Sequence, residues 1–377
     1  MRTNDQAKKI KLAILIRNFS PSGGGAERYC YELTKVLSSK YNLHVFSQSI
    51  KSRDLDVTFH EIPFKINRPR FINQILFSYY TKRITRKMKF DIIHSHDIVT
   101  HADVYTVHVP CFKKENCGNF YSNILKKILF IFNPRKVTYS LIEKLAFDIQ
   151  KKFQLISVSN ILSENIMNNY PHCKEPIIAY PGFNQNSVET SNNLRFKLGI
   201  NSSSYVILFS AHGFKRKGLQ QIVNALNLLQ EDIFLLVAGN GNQKEIIFDS
   251  EEVKKKTIFL GEISNINEFY SSGDLFIHPS SGDTFGMVVL EAMSHAIPVI
   301  VSDSKYCGIS ELLTSEEAVL LSDPYDHANI AHMIDKIKNN KILSNTLGQN
   351  AKTKASKISW TKTAKQTELA YRRLLDN

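Results

Sequence analysis

Short apolar runs alternate along the chain with longer stretches of helical periodicity. The runs predict strands over residues 11–17, 43–47, 91–95, 104–108, 154–158 and 177–180, and then over 205–210, 233–238, 257–260, 274–278 and 297–302. Strands that alternate with helices are typical of parallel sheets covered by helices on both faces. The segment 182–193 is poor in apolar residues and predicts a linker. We therefore expect an α/β protein with two doubly wound, Rossmann-like domains, 1–181 and 182–359, that face each other across a cleft.

Length and composition narrow the class of protein. At about 150 residues per domain, a chain of 377 residues suits two domains. The hydrophobic fraction of 43% and the charged fraction of 22% exclude disordered, collagen-like and coiled-coil chains, and no apolar stretch reaches the roughly 18 residues that cross a bilayer. The five cysteines are odd in number and scattered, which predicts a reducing, cytoplasmic location. Cys111 and Cys117 lie near His108 at a spacing that fits no common zinc site, so we expect no bound metal.

Positive charge is concentrated in two segments of the first half. The formal net charge is +13. Residues 67–89 carry seven Lys or Arg and no acid, among them Arg83 and Arg86, and residues 111–152 carry nine against three acids. One face of the first domain is therefore expected to be electropositive, which favours an anionic partner. Because no zinc-finger, RNP or KH pattern accompanies the charge, we do not expect nucleic acid as a partner.

The second basic segment contains an amphipathic helical pattern. Apolar residues recur at helical spacing over 124–132, with Lys126 and Lys127 between them. A helix of this kind can lie in a membrane interface with its lysines toward anionic headgroups, or it can cover an apolar face of its own domain. The neighbouring basic stretch with Arg83 and Arg86 favours contact of these four residues with a membrane or an anionic acceptor.

Three consecutive glycines, Gly23, Gly24 and Gly25, follow the first predicted strand and precede a helical pattern. Glycine lets a backbone approach a ligand closely, and a helix N-terminus offers unpaired N–H groups to an anion. A flexible strand-to-helix turn would have the same pattern. The stretch is not the G-x-G-x-x-G fingerprint, and no acidic residue ends the second predicted strand, so a nicotinamide dehydrogenase is disfavoured.

Two further loops follow predicted strands of the second half. Arg216 and Lys217 come after the strand at 205–210, where a planar guanidinium and a point charge can neutralise a diphosphate; a solvated basic turn is the alternative. Asp283 ends a strand-to-helix loop, and Glu291 lies two turns into the helix that follows. Because ligands of such sheets bind beyond the carboxyl ends of the strands, the two carboxylates can bind different hydroxyl groups of one ligand.

The stretch from Asp283 to Glu291, followed by Pro-Val-Ile at 298–300, resembles the Glu-x7-Glu signature of retaining family-four glycosyltransferases of the GT-B fold. Further motifs resemble the family in the same order along nearly the whole chain, at 24–27, 91–96, 106–108, 157–159, 180–182, 217–218, 238–241, 260–261 and 308–311. Two positions depart from the family pattern. Asp283 is one methylene shorter than the usual Glu, and Ala296 replaces a usual glycine, which we interpret as a change in packing.

The resemblance implies roles for these residues. Glu291 would hold the ribose hydroxyls of a nucleotide sugar, and Asp283 would hold the donor sugar together with the backbone of Thr284, Phe285, Gly286 and Met287. Arg216 and Lys217 would clamp the diphosphate, and the loop of Gly23, Gly24 and Gly25 would close over it. His108 would contact the donor near its reacting carbon, with an ordinary structural histidine as the alternative. The expected catalytic residues are therefore His108, Arg216, Lys217, Asp283 and Glu291.

By the same resemblance, the first domain would lie on the acceptor side, the second would bind the nucleotide sugar, and the last helix, 360–377, would pack back on the first domain. The chain would be a hexosyltransferase that moves a hexose, with retention, from a nucleotide-diphosphate sugar to a lipid-linked saccharide. It looks most like the glucosyltransferases that extend the lipopolysaccharide core, whose acceptor is anionic and anchored in the inner membrane.

The resemblance also implies the partners and the location. A nucleotide sugar, a lipid-linked saccharide and an anionic membrane surface are the expected partners, and neither a cofactor nor an obligatory metal is expected. The expected location is cytoplasmic and peripheral to the inner membrane. A nucleotide-sugar epimerase and a nonenzymatic membrane or nucleic-acid binder on an inactive GT-B scaffold are the alternatives.

Overall fold

The computed structural model describes residues 9–66, 69–112, 133–147, 152–183, 193–229 and 232–376. The fold consists of two compact units. The N-terminal unit comprises the chain up to Gly182 together with Trp360–Asn377, and the C-terminal unit comprises Phe183–Ser359. Lys126, Lys127 and most of the linker predicted at 182–193 lie outside the described residues.

The N-terminal unit is built on a parallel sheet of seven strands in the order β5-β3-β1-β6-β7-β8-β9. The strands are β1 Lys11–Leu15, β3 Asn42–Ser47, β5 Thr58–Glu61, β6 Ile92–Ser95, β7 Val104–Val107, β8 Gln154–Ser157 and β9 Ile177–Ile178, and a separate short pair is formed by β2 Asn18–Phe19 and β4 Ser49–Ile50. The connecting helices are α1 Gly25–Leu37, α2 Arg70–Met88, α3 Pro134–Phe147 and α4 Asn160–Asn169.

The C-terminal unit is built on a parallel sheet of six strands in the order β12-β11-β10-β13-β14-β15. The strands are β10 Tyr205–Ser210, β11 Ile233–Ala238, β12 Thr257–Gly261, β13 Leu275–His278, β14 Val299–Ser302 and β15 Val319–Leu321. The helices are α5 Asn193–Lys197, α6 Leu219–Leu226, α7 Glu251–Lys256, α8 Ile266–Ser271, α9 Met287–Ser294, α10 His327–Lys338 and α11 Lys341–Ser356, with 3-10 turns at Gln243–Glu245 and Gly308–Leu312.

The central strands form because their apolar residues run without interruption. Leu12 to Leu15 in β1 and Val206 to Phe209 in β10 are fully buried. Strands with helices on both sides of the sheet bury both faces, so they have continuous apolar runs and not an alternating pattern. These central strands carry the cores of the two units.

The prediction of an α/β fold with two parallel sheets is confirmed. All eleven predicted strands are present, within a few residues of their predicted ends. The pattern missed β5 and β15, which lie at sheet edges, and the two-residue strands β2 and β4, which pair only with each other. β5 carries polar Thr58, His60 and Glu61, and β15 has only three residues, so neither produces a clear apolar run.

The final helix, α12 Trp360–Leu375, belongs to the N-terminal unit. The hydroxyl of Thr363 donates to the Tyr180 carbonyl at 2.7 Å, and the Tyr371 hydroxyl lies 2.7 Å from Nδ1 of His94. Lys40 forms an ion pair with Glu368 at 2.9 Å. These contacts join the end of the chain to β6, to the turn after α1 and to the segment after β9. Within the described ranges, no helix combines the length and the apolar character needed to span a bilayer.

Candidate functional site

The central strands of the C-terminal sheet, β10 and β13, are neighbours from which the chain continues toward opposite edges. At such a switch point a crevice opens beyond the carboxyl ends of the strands. The loop after β10 carries Arg216 and Lys217, and the loop after β13 carries Asp283. The structure brings these predicted residues together, because the Lys217 ammonium forms an ion pair with the Asp283 carboxylate.

Asp283 is held by a cation and a histidine. Its Oδ2 pairs with Nζ of Lys217 and lies 2.9 Å from Nε2 of His278. The side chains of His278, Lys217 and Asp283 are 0%, 10% and 16% exposed, so water is largely excluded from the group. His278, the last residue of β13, was absent from the sequence prediction. A histidine at the end of a buried strand, directly before the carboxylate loop, is the signal that could have identified it.

Burial and charge act in opposite directions on the pKa values of this group. Burial by itself raises the pKa of Asp283, but the hydrogen bond from His278 and the charge of Lys217 lower that pKa well below its usual range. Burial lowers the pKa of Lys217 and of His278, and Asp283 opposes the shift in both. At neutral pH the Asp283 carboxylate is therefore ionised, and the neutral ring of His278 donates its Nε2 hydrogen.

Arg216 and Lys217 are adjacent in sequence but differ in environment. The Lys217 side chain is buried against Asp283, whereas Arg216 is exposed and donates from its guanidinium to the Gly282 carbonyl. The loop is fastened on both sides, since the Ser281 amide donates to the Arg216 carbonyl at 3.1 Å. The exposed guanidinium can therefore bind an anion in solution from a fixed position.

The segment between Asp283 and Met287 is fixed by its backbone. The Gly308 amide donates to the Asp283 carbonyl at 3.1 Å, and the Ile309 amide donates to the Phe285 carbonyl at 2.6 Å. Hydrogen bonds of this kind hold the predicted donor-binding backbone in one conformation before any ligand binds.

Gly286 is required by both conformation and space. Its φ of +94° lies in the left-handed region, and a Cβ there would lie 2.8 Å from Sγ of Cys307. Gly286 caps α9 and offers no side-chain hydrogen bond to its first turn. In that turn the Val289 amide donates to the Gly286 carbonyl at 3.0 Å, so the amides before it, at Met287 and Val288, are the ones that an oxygen-rich ligand could bind.

Glu291 lies inside α9 and is only 8% exposed. Its Oε2 accepts a hydrogen bond from the Tyr270 hydroxyl at 2.9 Å, and the same hydroxyl lies 3.1 Å from the Val288 carbonyl. Tyr270 is the second functional side chain that the sequence pattern did not indicate. It holds the buried carboxylate in one orientation.

Three potential metal ligands, His278, Asp283 and Cys307, lie close together, with their ligand atoms within 4.8 Å of one another. The group does not fit a metal centre. The Lys217 ammonium already neutralises Asp283, and burial raises the pKa of the Cys307 thiol, whose sulfur lies 3.5 Å from the Phe285 carbonyl. A cation would have to displace a lysine and deprotonate a buried thiol.

In the N-terminal unit, the three predicted glycines lie at the start of α1, of which Gly24 is the N-cap and Gly25 the first residue. Oε2 of Glu27 accepts from the Gly24 amide at 2.7 Å, and its Oε1 accepts from the Asn18 side chain at 3.0 Å. A Cβ on Gly23 would lie 2.0 Å from Oε2 of Glu27, whereas a Cβ on Gly25 would meet nothing within 4 Å. The helix N-terminus thus has a carboxylate of its own, and only Gly23 is required by this contact.

His108 follows β7 and belongs to a cluster of aromatic rings. Its Nε2 lies 3.0 Å from Nδ1 of His96, and its ring makes an edge contact with Tyr29 at 5.0 Å between centroids. The stack continues from His96 to His94 at 4.6 Å. Burial lowers the pKa of His108 to about 4, although Asp97 opposes the shift, so the ring is neutral at pH 7.

Of the two basic segments of the first half, the one at 67–89 contains the helix α2. Arg83 and Arg86 are exposed on α2, and the apolar side chains of Ile75 and Tyr79 on the same helix are 46% and 56% exposed. The other two residues predicted to contact the membrane or acceptor, Lys126 and Lys127, lie outside the described residues.

Two family models match the chain in succession. The model described as Glycosyltransferase Family 4 matches residues 23–181, and the model described as Glycosyl transferases group 1 matches residues 190–354. The uncharacterized glycosyltransferase MJ1607 of Methanocaldococcus jannaschii is 27% identical over 339 residues, which cover 81% of this chain and 82% of the relative.

Similar proteins with a described role share the fold at lower identity. The lipopolysaccharide glucosyltransferase WaaG of Escherichia coli K12 is 19% identical over 90% of this chain and 93% of its own. The crystal structure of WaaG superposes with a TM-score of 0.79 at 17% identity, covering 95% of this chain and 99% of that one. Anabaena HepE in complex with UDP-glucose gives a TM-score of 0.70 at 17% identity over 97% and 100% of the two chains.

The fold of WaaG extends over almost the whole chain, and the two family models together span most of it, with their boundary at the predicted linker. The carboxylates Asp283 and Glu291 lie within the second match, at the switch point of a parallel sheet. The protein therefore belongs to the group 1, family 4 glycosyltransferases of the GT-B fold.

Proposed function

We propose that this glycosyltransferase moves a hexose, with retention of configuration, from a nucleoside diphosphate sugar to a lipid-linked saccharide. The observation that carries the proposal is the buried ion pair of Lys217 with Asp283, close in sequence to the capped start of α9. In this reaction Glu291 binds the ribose hydroxyls. Asp283, together with the backbone from Thr284 to Met287, binds the hexose.

The charges of the site suit the departure of a diphosphate. As the bond between the sugar C1 and the diphosphate oxygen breaks, negative charge builds on the phosphate and positive charge on C1. The acceptor hydroxyl attacks C1 on the same face, and its proton passes to a phosphate oxygen. Arg216 and Lys217 stabilise the phosphate charge more in the transition state than in the bound donor. The Asp283 carboxylate keeps Lys217 protonated in spite of its burial.

The residues of the N-terminal unit are assigned to the sugar and the acceptor. A neutral His108 exchanges hydrogen bonds with a donor hydroxyl near the reacting carbon, without adding a positive charge beside the cationic C1. The loop of Gly23, Gly24 and Gly25 covers the donor. HepE has been crystallised with UDP-glucose and WaaG is named a glucosyltransferase, which supports UDP-glucose as the first donor to test.

The basic helix α2 supports an anionic, membrane-anchored acceptor and a peripheral location at the cytoplasmic face of the inner membrane. Arg83 and Arg86 lie on the same helix as exposed Ile75 and Tyr79, which suits an interface of lipid tails and anionic headgroups. Arg83→Glu with Arg86→Glu should weaken binding to vesicles that contain phosphatidylglycerol, and neutral vesicles serve as the control. Equal binding of the unmodified protein and the double variant to vesicles that contain phosphatidylglycerol would show that α2 does not contact the membrane.

The transfer itself is tested with nucleotide sugars and truncated lipopolysaccharide as acceptor. We expect acceptor-dependent release of the nucleoside diphosphate and a product with the donor's anomeric configuration. Glu291→Gln should reduce kcat/KM by at least about tenfold, since hydrogen bonds to a charged group contribute about 1.5–3 kcal/mol each. Glu316→Gln, an exposed change in the same unit, serves as the control.

Two outcomes would contradict the proposal. Free epimerised sugar formed without any acceptor would indicate a nucleotide-sugar epimerase. Full cellular activity of Glu291→Gln, combined with loss of membrane binding and of the phenotype in the Arg83 and Arg86 variant, would indicate a nonenzymatic binder.

A further inference from the structure

Three histidines lie at the carboxyl ends of two neighbouring strands of the N-terminal sheet. His94 belongs to β6, His96 follows that strand directly, and His108 follows β7, which pairs with β6. Nδ1 of His96 lies 3.0 Å from Nε2 of His108, so the two rings share one hydrogen bond. Burial lowers the pKa of His96 well below its usual range and the pKa of His108 to about 4, so both rings are neutral at pH 7. A neutral ring carries a single N–H, and therefore one ring donates and the other accepts.

The second nitrogen of His96 indicates which ring donates. Nε2 of His96 is buried and makes no hydrogen bond within the described residues. The rings of His94 and Tyr29 lie beside the ring of His96, with centroids at 4.6 Å and 5.8 Å. His94 offers no free nitrogen, because its Nδ1 lies 2.7 Å from the Tyr371 hydroxyl and its Nε2 lies 2.7 Å from the Thr106 hydroxyl. A hydrogen on Nε2 of His96 would therefore have no acceptor in this part of the structure.

The hydrogen of His96 lies on Nδ1 for this reason. Buried N–H groups without an acceptor are rare in folded proteins, and an unpaired lone pair is tolerated better. Nδ1 of His96 thus donates to Nε2 of His108. Because the hydrogen bond at one ring nitrogen sets the state of the other, Nε2 of His108 is unprotonated and the hydrogen of this ring lies on Nδ1.

Nδ1 of His108 is available to a ligand. It makes no hydrogen bond within the described residues, and His108 is partly exposed, whereas His96 is only 7% exposed. Asp97 acts on the pKa of His108, but this carboxylate already pairs with the Arg17 guanidinium at 2.8 Å and accepts from the Arg17 amide at 2.7 Å. On this side the ring therefore offers a neutral N–H donor, with neither a positive charge nor a basic nitrogen.

We propose that His96 is a positioning residue for the transfer reaction. By donating from its Nδ1, His96 holds His108 in the tautomer with hydrogen on Nδ1, and His108 donates this hydrogen to an oxygen of the donor sugar near the reacting carbon. The role rests on the proposed function, in which His108 contacts the donor. It also deepens that function, because a protonated Nδ1 cannot take the proton of the acceptor hydroxyl. That proton is left to the phosphate oxygen.

Nuclear magnetic resonance of the intact protein tests the tautomer without any reaction. With isotopically labelled histidine rings, long-range proton–nitrogen correlation spectra distinguish a nitrogen that carries hydrogen from one that does not. The variants His96→Phe and His108→Phe assign the signals. We expect both rings to carry their hydrogen on Nδ1. Hydrogen on Nε2 of His108 in the unmodified protein would overturn the proposal.

Two substitutions of His96 separate positioning from packing. His96→Phe keeps an aromatic ring but donates no hydrogen bond, whereas His96→Asn loses the ring and keeps an amide that can donate from about the position of Nδ1. We expect kcat/KM to fall between about twofold and about tenfold in His96→Phe and to stay closer to that of the unmodified protein in His96→Asn. Packing alone would give the reverse order, so higher activity in His96→Phe than in His96→Asn would overturn the proposal.

His44 provides a matched control in the same unit. Its Nδ1 lies 2.9 Å from Nε2 of His60 and the two rings are stacked, so this pair on β3 and β5 repeats the contact between His96 and His108 at one edge of the sheet. His44→Phe should leave kcat/KM within about twofold of the unmodified protein. A loss equal to that in His96→Phe would show a general effect of removing a buried histidine and would count against a specific role of His96.

Failure of the proposed function is distinguishable from failure of this inference. If no nucleotide sugar supported transfer, the proposed function would be contradicted, while the spectra would still report the tautomer. Full activity of His108→Phe would overturn the contact of His108 with the sugar, and with it the role of His96, but would leave the carboxylates of the C-terminal unit in place. Loss of activity in His108→Phe with unchanged activity in His96→Phe would show that His108 acts without His96.

Discussion

The fully buried ring of His278 donates a hydrogen bond from Nε2 to Oδ2 of Asp283 at 2.9 Å. The same oxygen pairs with the ammonium of Lys217. The carboxylate that is proposed to bind the donor sugar is thus fixed by two buried neighbours, one neutral and one charged. Asp283 is one methylene shorter than the residue usual in the family, and in this chain it is held by both neighbours at once.

Replacement of His278 by Phe should raise the pKa of Asp283, because the hydrogen bond from His278 is one of the causes that lower it. Phe keeps the ring and the burial. We expect kcat/KM to fall by about tenfold, the equivalent of about 1.4 kcal/mol, and the acid limb of the pH profile to move to higher pH. The profile is measured with donor and acceptor at concentrations well below KM.

His278→Asn is the matched control for this prediction, because its amide can still donate to the carboxylate. It should restore part of the activity and return the acid limb toward lower pH. An unchanged acid limb in His278→Phe would show that the ring does not position Asp283.

Replacement of Asp283 by Asn should destabilise the protein by about 3 kcal/mol at pH 7, because it leaves the buried ammonium of Lys217 without its counter-charge. The pKa of Asp283 is lower in the folded state than the value of about 3.9 expected in the unfolded chain. The stabilisation is therefore fully present above about pH 4 and is lost as the pH falls through the folded pKa.

Urea denaturation at several pH values tests this dependence. The difference between the unmodified protein and Asp283→Asn should be constant from pH 7 to about 5 and should shrink below pH 4. Asp249→Asn, an exposed change, should show no difference at any of these pH values. If the stability difference between the unmodified protein and Asp283→Asn grew on acidification, the lowered pKa of Asp283 would be contradicted.

Replacement of Gly286 by Ala should reduce both stability and activity. The new Cβ would lie 2.8 Å from Sγ of Cys307 at a φ of +94°, and strain of this kind costs about 1–3 kcal/mol. Gly282→Ala is the matched control in the same loop, because a Cβ there meets nothing within 4 Å and its φ is not in the left-handed region. Similar melting temperatures for the two variants would show that the start of α9 does not require glycine at position 286.

Replacement of Ala296 by Gly should stabilise the protein by about 1 kcal/mol, because Ala296 has a φ of +58°, where a side chain is strained. The sequence suggested a change in packing at this position, whereas the structure explains the family's glycine through the backbone. Ala355→Gly, inside α11, should instead destabilise by about 1 kcal/mol. Chemical denaturation of the two variants distinguishes backbone strain from packing as the reason for the family's glycine. A loss of stability in Ala296→Gly would favour packing.

The sequence by itself determined the framework of this protein. Continuous apolar runs marked the buried strands, and the alternation of strands with helices required parallel sheets. The order of short motifs placed Asp283 and Glu291 on the loop and helix after β13, because the distance between such residues is set locally by the chain.

Only the tertiary structure decided the partners of those carboxylates. Lys217 is 66 residues from Asp283 in sequence, and Tyr270 is 21 residues from Glu291. Lys217 and Asp283 meet because parallel strands bring distant loops to the same end of a sheet, whereas Tyr270 reaches Glu291 from α8, the helix before β13. No local pattern records which side chains then touch. The strained backbone of Ala296 likewise follows from the folded chain, so the sequence could indicate a site but not its hydrogen bonds.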